Sequence, residues 1–275
     1  MKIKSFAKIN LTLEILGKLD NDYHEIKGIF QTINLFDSIE IIESNTDSVI
    51  TKNIPINEKD NLVYKILVEF KKYFRIKNSF SINIIKNIPI SSGLGGGSSN
   101  AASVIANINN YMGINLSNKE LMSFVSKFGS DIPFFIEGGT CLVSGKGEVV
   151  NKLTNCINQG IILNTPNIII NEKTKKTFSF ITKKNYTKGI KTEQVKKIIL
   201  NNTLLKNENL FNIFNNLIIN KYIDVKYAAE EMNSSYGKCL LSGAGMSLFT
   251  LAKNKINNNT GRYYSLVNMG WKNID

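Results

Sequence analysis

Residues 89–99 run Pro89, Ile90, Ser91, Ser92, Gly93, Leu94, Gly95, Gly96, Gly97, Ser98, Ser99, with four glycines in five positions. Glycine loses more backbone freedom on folding than any other residue, so such a cluster inside a globular chain requires a use. Phe80, Ile82 and Ile84 alternate before it and predict a strand; Ala101, Val104, Ile105, Ile108 and Met112 follow at helical spacing. A strand, a glycine loop and a helix N-terminus together make an anion site. Bare backbone lets a phosphate approach, and the N–H groups and helix dipole point at it. Ser98 and Ser99 either cap the helix or offer hydroxyls to phosphate and to a magnesium ion. The competing reading is a tight structural turn; a flexible linker would be polar on both sides, and this stretch is not.

The loop fits none of the commonest phosphate fingerprints. No lysine follows the glycines, so a Walker A loop is excluded, and the sixth position from Gly93 is Ser98, which breaks the dinucleotide pattern. The only histidine, His24, precedes Glu25, so no His-Arg-Asp loop of a protein kinase exists.

The elements that must hold this loop can be read in outline. Ile9, Leu11, Leu13 and Ile15 alternate with Asn10, Thr12 and Glu14, which predicts a half-buried strand carrying Lys8. A second strand covers 30–43, broken near Phe36-Asp37-Ser38. Asp60 is placed to cap a helix with Leu62, Ile66, Leu67 and Phe70 on its apolar face. Ser117 with Glu120 forms a capping box, and Gly129 a stop. Ser130-Asp131-Ile132-Pro133 reads as a helix cap, "TCLVSG" as a strand and "SGKGE" as a turn. Beyond Thr154 the pattern predicts a strand at 161–163, helices over 192–201, 207–220 and 224–233, and strands at 238–241, 247–251 and 263–267. "SGAGM" lies between the first two of these last strands and would suit a hairpin with glycine at positive φ. The sum is an α+β chain of two domains, 1–153 and 154–275.

Three stretches fall in order along nearly the whole chain: "SFAKINLTLEI" (5–15), Pro89 before "GLGGGSSNAA", and "LLSGAGMSLF" (240–249). They resemble the three motifs of the GHMP kinases, the family of galactokinase, homoserine kinase and mevalonate kinase, with an extra Gly and an Asn in the second. "AKINLTLEILGKLDNDYHEI" and "GSDIPFFIEGGTCLVSGKGE" narrow the likeness. They are similar to members that use ATP to phosphorylate a tertiary hydroxyl of a cytidine-diphosphate-linked methylerythritol in non-mevalonate isoprenoid synthesis.

The resemblance implies a nucleotide-binding N-terminal domain, an α/β-sandwich substrate domain and an active site in the cleft between them. It puts ATP, with Mg2+ inferred, on residues 89–99, and Lys8 and Asp131 at the catalytic positions. A carboxylate there would take or orient the hydroxyl proton while the ammonium keeps it ionised. Asn10 shares the face of Lys8 and is expected to touch substrate. Tyr23 would stack on the cytosine and His24 hydrogen-bond its edge. Gly243 and Gly245 would close a second glycine turn over the phosphates or the substrate's diphosphate. Asp22 stands where the family has Gly. Asn171-Glu172 replaces a Ser-Thr pair, and Lys175 or Lys176 falls where a second aromatic is expected, with Phe178 the nearest ring.

Composition bounds the alternatives. The chain has 275 residues, a net charge of +12 and 43% hydrophobic residues. Its lysines are spread among Asn and Ile, and no basic run carries interleaved aromatics, so nucleic-acid binding is not expected. Three scattered cysteines without a Cys-x-x-Cys pair argue against a disulfide framework, and one histidine against zinc. No apolar run reaches membrane-spanning length and the N-terminus has no signal core, so the reading is cytoplasmic, with no membrane partner. The expected partners are ATP and the cytidine-linked small molecule, with a monomer or weak homodimer. The rivals are another GHMP kinase of homoserine or mevalonate type, and a catalytically silent ligand sensor on the same fold.

Overall fold

Strands β1 (Lys2–Lys18) and β2 (His24–Ser44) form the long antiparallel pair on which the other elements are hung. A computed structural model describes residues 1–20, 23–153, 159–168, 173–252 and 260–274. The alternation in β1 suggests one wet face, yet Asn10 and Thr12 are fully buried and Glu14 nearly so. The strand is covered from both sides, by helix α2 (Gly96–Tyr111) and by a helix over Ile190–Leu200. Register shifts between Phe6 and Ala7 and between Asn10 and Thr12 change which residues face which cover. Ala7, Ile9 and Leu11 pack with Val195 and Ile199, whereas Leu13 and Ile15 pack with Ala101 and Val104 of α2. Lys8 and Asn10 thus share one face, and the shift ends that polar patch against apolar neighbours.

The first layer of helices comprises α1 (Leu62–Phe74), α2, α3 (Asn118–Val125) and α4 (Ile132–Glu137). Val63, Ile66, Leu67 and Phe70 bury the apolar stripe of α1, each contributing roughly 1.5–3 kcal/mol of transfer free energy. Its cap is Asn61, whose side chain accepts from Val63 N; Asp60 instead ends a 3-10 turn. Helix α3 starts at the capping box predicted for Ser117 and Glu120, and ends at Ser126, before Gly129. Strands β3 (Ser48–Lys52), β4 (Ser79–Ile85), β5 (Thr140–Gly145) and β6 (Val149–Lys152) extend the sheet around β2. β2 is continuous through Phe36-Asp37-Ser38; the irregularity there is the register shift opposite Phe6.

The C-terminal half contributes β7 (Gly160–Asn164), α5 (Lys173–Phe178), α6 (Ile190–Leu200), β8 (Phe211–Asn212), α7 (Asn215–Ile219) and α8 (Ile223–Tyr236). It closes with β9 (Leu240–Leu241), β10 (Leu248–Ala252), β11 (Arg262–Val267) and β12 (Trp271–Asn273). The helix expected over 207–220 is broken into a 3-10 turn at Asn207–Asn209 and α7. Buried Asn212 breaks it by accepting from Phe214 N and donating to Leu241 O and Gly243 O, both at 2.8 Å. β11 pairs with both β7 and β2, and β12 pairs with β1, so strands from the C-terminal half return to the N-terminal sheet. Residues 154–158, which include Cys156 and the start of the expected second domain, lie outside the described residues.

Candidate active site

The glycine loop leaves β4 and enters α2 through backbone that few side chains tolerate. Gly93 and Gly95 have φ of 87° and 74°, and Ser91 is also left-handed at 56°. Gly95 is the N-cap of α2 and carries no side-chain cap. The first N–H groups of this 16-residue helix therefore have no acceptor within it and face a cleft lined by Gly95, Gly96, Gly97 and Ser98. Pro89, Ile90, Ser91, Ser92 and Gly93 line the same cleft, whose volume is about 480 Å³.

Two members of the predicted phosphate set do other work. The Ser99 hydroxyl is fully buried, 2.6 Å from both Ser5 Oγ and Phe6 O, and fastens α2 to β1. Leu94 is fully buried too, and its carbonyl accepts from Lys8 N at 2.9 Å. The loop is thereby tied to the strand that carries the reactive side chains.

The second glycine turn lies against the first. A Cβ on Gly93 would overlap Ser242 O and come within 2.7 Å of Gly245 Cα; one on Gly245 would overlap Ser92 O and Gly93. Ser247 N donates to Ser92 O at 3.0 Å. Gly243 and Ala244 line the cleft, while Gly245 is the contact point between the turns. Asn212 holds this turn through the Gly243 carbonyl and is a residue that sequence reasoning missed; its place in a stretch that reads as helix hid it.

Lys8, Asn10 and Asp131 converge where the turns meet. Lys8 is 4% exposed, donates from Nζ to Asn10 Oδ1 at 2.8 Å, and lies 3.7 Å from Asp131 Oδ2. Burial pushes the Lys8 ammonium below its ordinary range, and the charge and hydrogen bonding of Asp131 oppose that shift. Asn10 Nδ2 is buried without a hydrogen-bond partner among the described residues, so its N–H donors remain for a ligand. Asp131 stands at the N-terminus of α4 but makes no capping hydrogen bond. Its side chain is 39% exposed and turned toward Lys8 and the cleft. The capping role that its sequence context suggests is not the one its carboxylate performs.

A second cavity of about 840 Å³ adjoins the first and is lined by Tyr23, His24, Phe178 and Tyr186. The His24 and Phe178 rings lie 5.5 Å apart with a 35° tilt, and Tyr186 meets His24 edge-on at 6.3 Å. Helix α5 thus carries Phe178 to the place where Lys175 and Lys176 had occupied the expected aromatic register; Asp22 and Asn171-Glu172 lie outside the described residues. Tyr186, on a loop after α5, had no motif to announce it. Burial, and then the charge of Lys18, hold the His24 imidazolium below its usual range, so the ring is neutral near pH 7.

Lys86 was also missed. Its ammonium pairs with fully buried Asp37, donates to Asn100 Oδ1 at 3.0 Å, and lines the glycine cleft. Asp37 further accepts from the N–H groups of Asn87 and Ile88, at 2.7 and 2.8 Å, and so fixes the entry of the chain into the loop.

Comparison with known proteins places this geometry. Residues 61–139 match the family described as GHMP kinases N terminal domain. A 4-diphosphocytidyl-2-C-methyl-D-erythritol kinase of Clostridium perfringens is 34% identical over 255 residues, covering 90% of this chain and 88% of the relative. That of Clostridium tetani is 37% identical over 255 residues, covering 90% of each. Among solved structures, a 4-(cytidine 5'-diphospho)-2C-methyl-D-erythritol kinase superposes with a TM-score of 0.77 at 19% identity, over 97% of this chain and 98% of that one. A homoserine kinase from Cytophaga hutchinsonii gives 0.69 at 16% identity, over 99% and 96%. The structural matches carry the fold, the closer sequence relatives carry the family, and the chain belongs to the 4-diphosphocytidyl-2-C-methyl-D-erythritol kinases among the GHMP kinases.

Proposed function

We propose that this chain transfers the γ-phosphoryl group of ATP to the 2-hydroxyl of 4-diphosphocytidyl-2-C-methyl-D-erythritol, giving the 2-phosphate and ADP. The observation that carries this reading is the position of Asp131 and Lys8. They lie between an uncapped helix N-terminus, which suits a polyphosphate, and an aromatic cavity, which suits a base. The curated relatives bearing that activity in their names support it.

In this reading the open N–H groups of α2 and the Ser98 hydroxyl hold the ATP phosphates. The cytosine stacks on Tyr23 and Phe178, and neutral His24 hydrogen-bonds its edge. The accepting hydroxyl then lies at Asp131, which orients it and takes its proton as the phosphoryl group arrives. Buried Lys8 offsets the negative charge that develops between the two oxygens, where low dielectric strengthens it. Asn10 keeps the Lys8 ammonium in place and turns its open Nδ2 toward substrate.

No trio of His, Cys, Asp or Glu could hold a metal among the described residues. Magnesium needs none, because it takes one or two protein oxygens beside phosphates and water, and the Ser98 hydroxyl in the glycine cleft would suit it. That ion would neutralise phosphate charge. The division into 1–153 for nucleotide and 154–275 for substrate is proposed with the cleft between them, although Tyr23 and His24 come from the first half and share a cavity with Phe178 from the second. No helix among the described residues is long and apolar enough to cross a membrane, and Cys141 and Cys239 are buried free thiols, which supports a reducing cytoplasmic setting.

The test is phosphate transfer from ATP, wild type against Asp131→Asn, with homoserine and mevalonate as rival acceptors. The variant should lose on the order of a hundredfold or more in kcat with little change in either KM. An undiminished rate overturns the role of Asp131. Transfer only to an acceptor without cytidine overturns the substrate, and binding of both ligands with no turnover by wild type favours the silent sensor.

A further inference from the structure

The two cavities share four lining residues, Ile26, Ser130, Lys146 and Phe178, and Lys146 alone among them is charged. We propose that Lys146 binds the diphosphate of the cytidine-linked substrate and makes the enzyme prefer a phosphorylated nucleoside over a bare one. This rests on the reading above, with the base at Tyr23 and the accepting hydroxyl at Asp131. With its two ends held there, the substrate must lay its linking diphosphate across the junction of the cavities.

Local structure aims the lysine at that junction. The turn between β5 and β6 has Gly145 and Gly147 at φ of 69° and 124°, one on each side of Lys146. A Cβ on Gly147 would come within 3.0 Å of Ser130 Cβ, so the turn is pressed against the residue that precedes Asp131. Lys146 N donates to Glu148 Oε2 at 2.7 Å and closes the turn. The Lys146 ammonium lies 5.3 Å above the Tyr23 ring centre, and no described carboxylate pairs with it. Its charge is available to an anion that reaches over the ring. A lysine used only to prop Tyr23 by a cation–π contact would make the same ring geometry, and the two roles differ in what they do to ligands with and without phosphate.

The experiment is calorimetric binding of CDP and of cytidine to wild type, Lys146→Gln and Lys146→Arg, beside steady-state kinetics. Wild type should bind CDP more tightly than cytidine. Lys146→Gln should weaken CDP by roughly tenfold to a hundredfold and cytidine by less than about threefold, with Lys146→Arg restoring most of the loss. The substrate KM should rise with the CDP constant, while kcat and the ATP KM stay within about twofold. Equal weakening of CDP and cytidine overturns the proposal in favour of a ring prop, and unchanged CDP binding overturns it outright. If wild type phosphorylates no cytidine-linked acceptor, the proposed function fails on its own; CDP against cytidine binding then still decides whether Lys146 reads phosphate.

Discussion

The two cavities are built from different materials. The glycine cleft is made of backbone: N–H groups of α2, left-handed Gly93 and Gly95, and a second glycine turn pressed against the first. The aromatic cavity is made of side chains, Tyr23, His24, Phe178 and Tyr186, drawn from three separate segments. A site of backbone is damaged by adding atoms, and a site of side chains by removing them. The first fails at a point because Gly93 and Gly245 meet with no room for a side chain; the second fails by degrees because each ring adds its own contact.

The largest effect should come from adding one methyl group at the meeting of the turns. Gly93→Ala combines a left-handed φ with overlap on Ser242 O and Gly245, and should cost roughly 1–3 kcal/mol of stability. At about 2–4 °C per kcal/mol for a chain of this size, thermal denaturation will show it. Gly97→Ala is its counterpart: nothing lies within 4 Å of its Cβ and its φ is ordinary. It should leave the melting temperature unchanged or slightly raised while the ATP KM rises, since the methyl enters the phosphate approach. If both variants melt alike, the turn-to-turn contact is not what holds the cleft.

Removal on the other side should act more gently. Tyr23→Ala should raise the substrate KM roughly fivefold to 150-fold, the worth of one base stack of about 1–3 kcal/mol, and change kcat less. A fall in kcat with constant KM would mean that Tyr23 acts on the chemistry instead.

The smallest effects are in pH. His24 in the folded chain has its imidazolium pKa below 6.5, so the protonated form is the disfavoured one. The corresponding loss of stability is complete below the folded value and disappears as pH rises toward 6.5; stability from this group therefore increases with pH across that window. The substrate KM should stay flat as pH falls to 6.5 and rise only at more acid pH. Lys8 is likewise held below 10.5, so the alkaline fall in kcat/KM should begin earlier than for an ordinary lysine. An acid limb centred at 6.5 or above would remove the burial argument for His24.

The same contrast explains what the sequence made legible. Backbone chemistry leaves its mark in one place, so the loop at 89–99 and the turn at 243–245 could be found as glycine clusters. The capping box at Ser117 and the stripe of α1 were equally local and equally plain. Side-chain sites assembled over long separations leave no such mark. Tyr186 beside His24, Asn212 under Gly243 and Asp37 under Lys86 each depend on a tertiary contact. The polar face of β1 misled for a related reason: alternation reports chemical type, and only the second layer of helices makes Asn10, Thr12 and Glu14 interior. Ser99, indistinguishable from Ser98 by type, differs by one helical step of 100° that turns it into β1.

The pairing of Ile3, Lys4 and Ser5 with Asn273, Lys272 and Trp271 joins the two ends of the chain on the strand that carries Lys8. Phe6 N also donates to Gly270 O at 3.0 Å, two residues from that lysine. During synthesis the glycine loop emerges long before this partner strand does, and β1 must wait with an open edge while most of the chain is made. Such an edge invites pairing with other strands, so the ribosome-bound chain is at its most aggregation-prone until the final residues appear. The strand that carries Lys8 is thus completed by residues far from it in the chain.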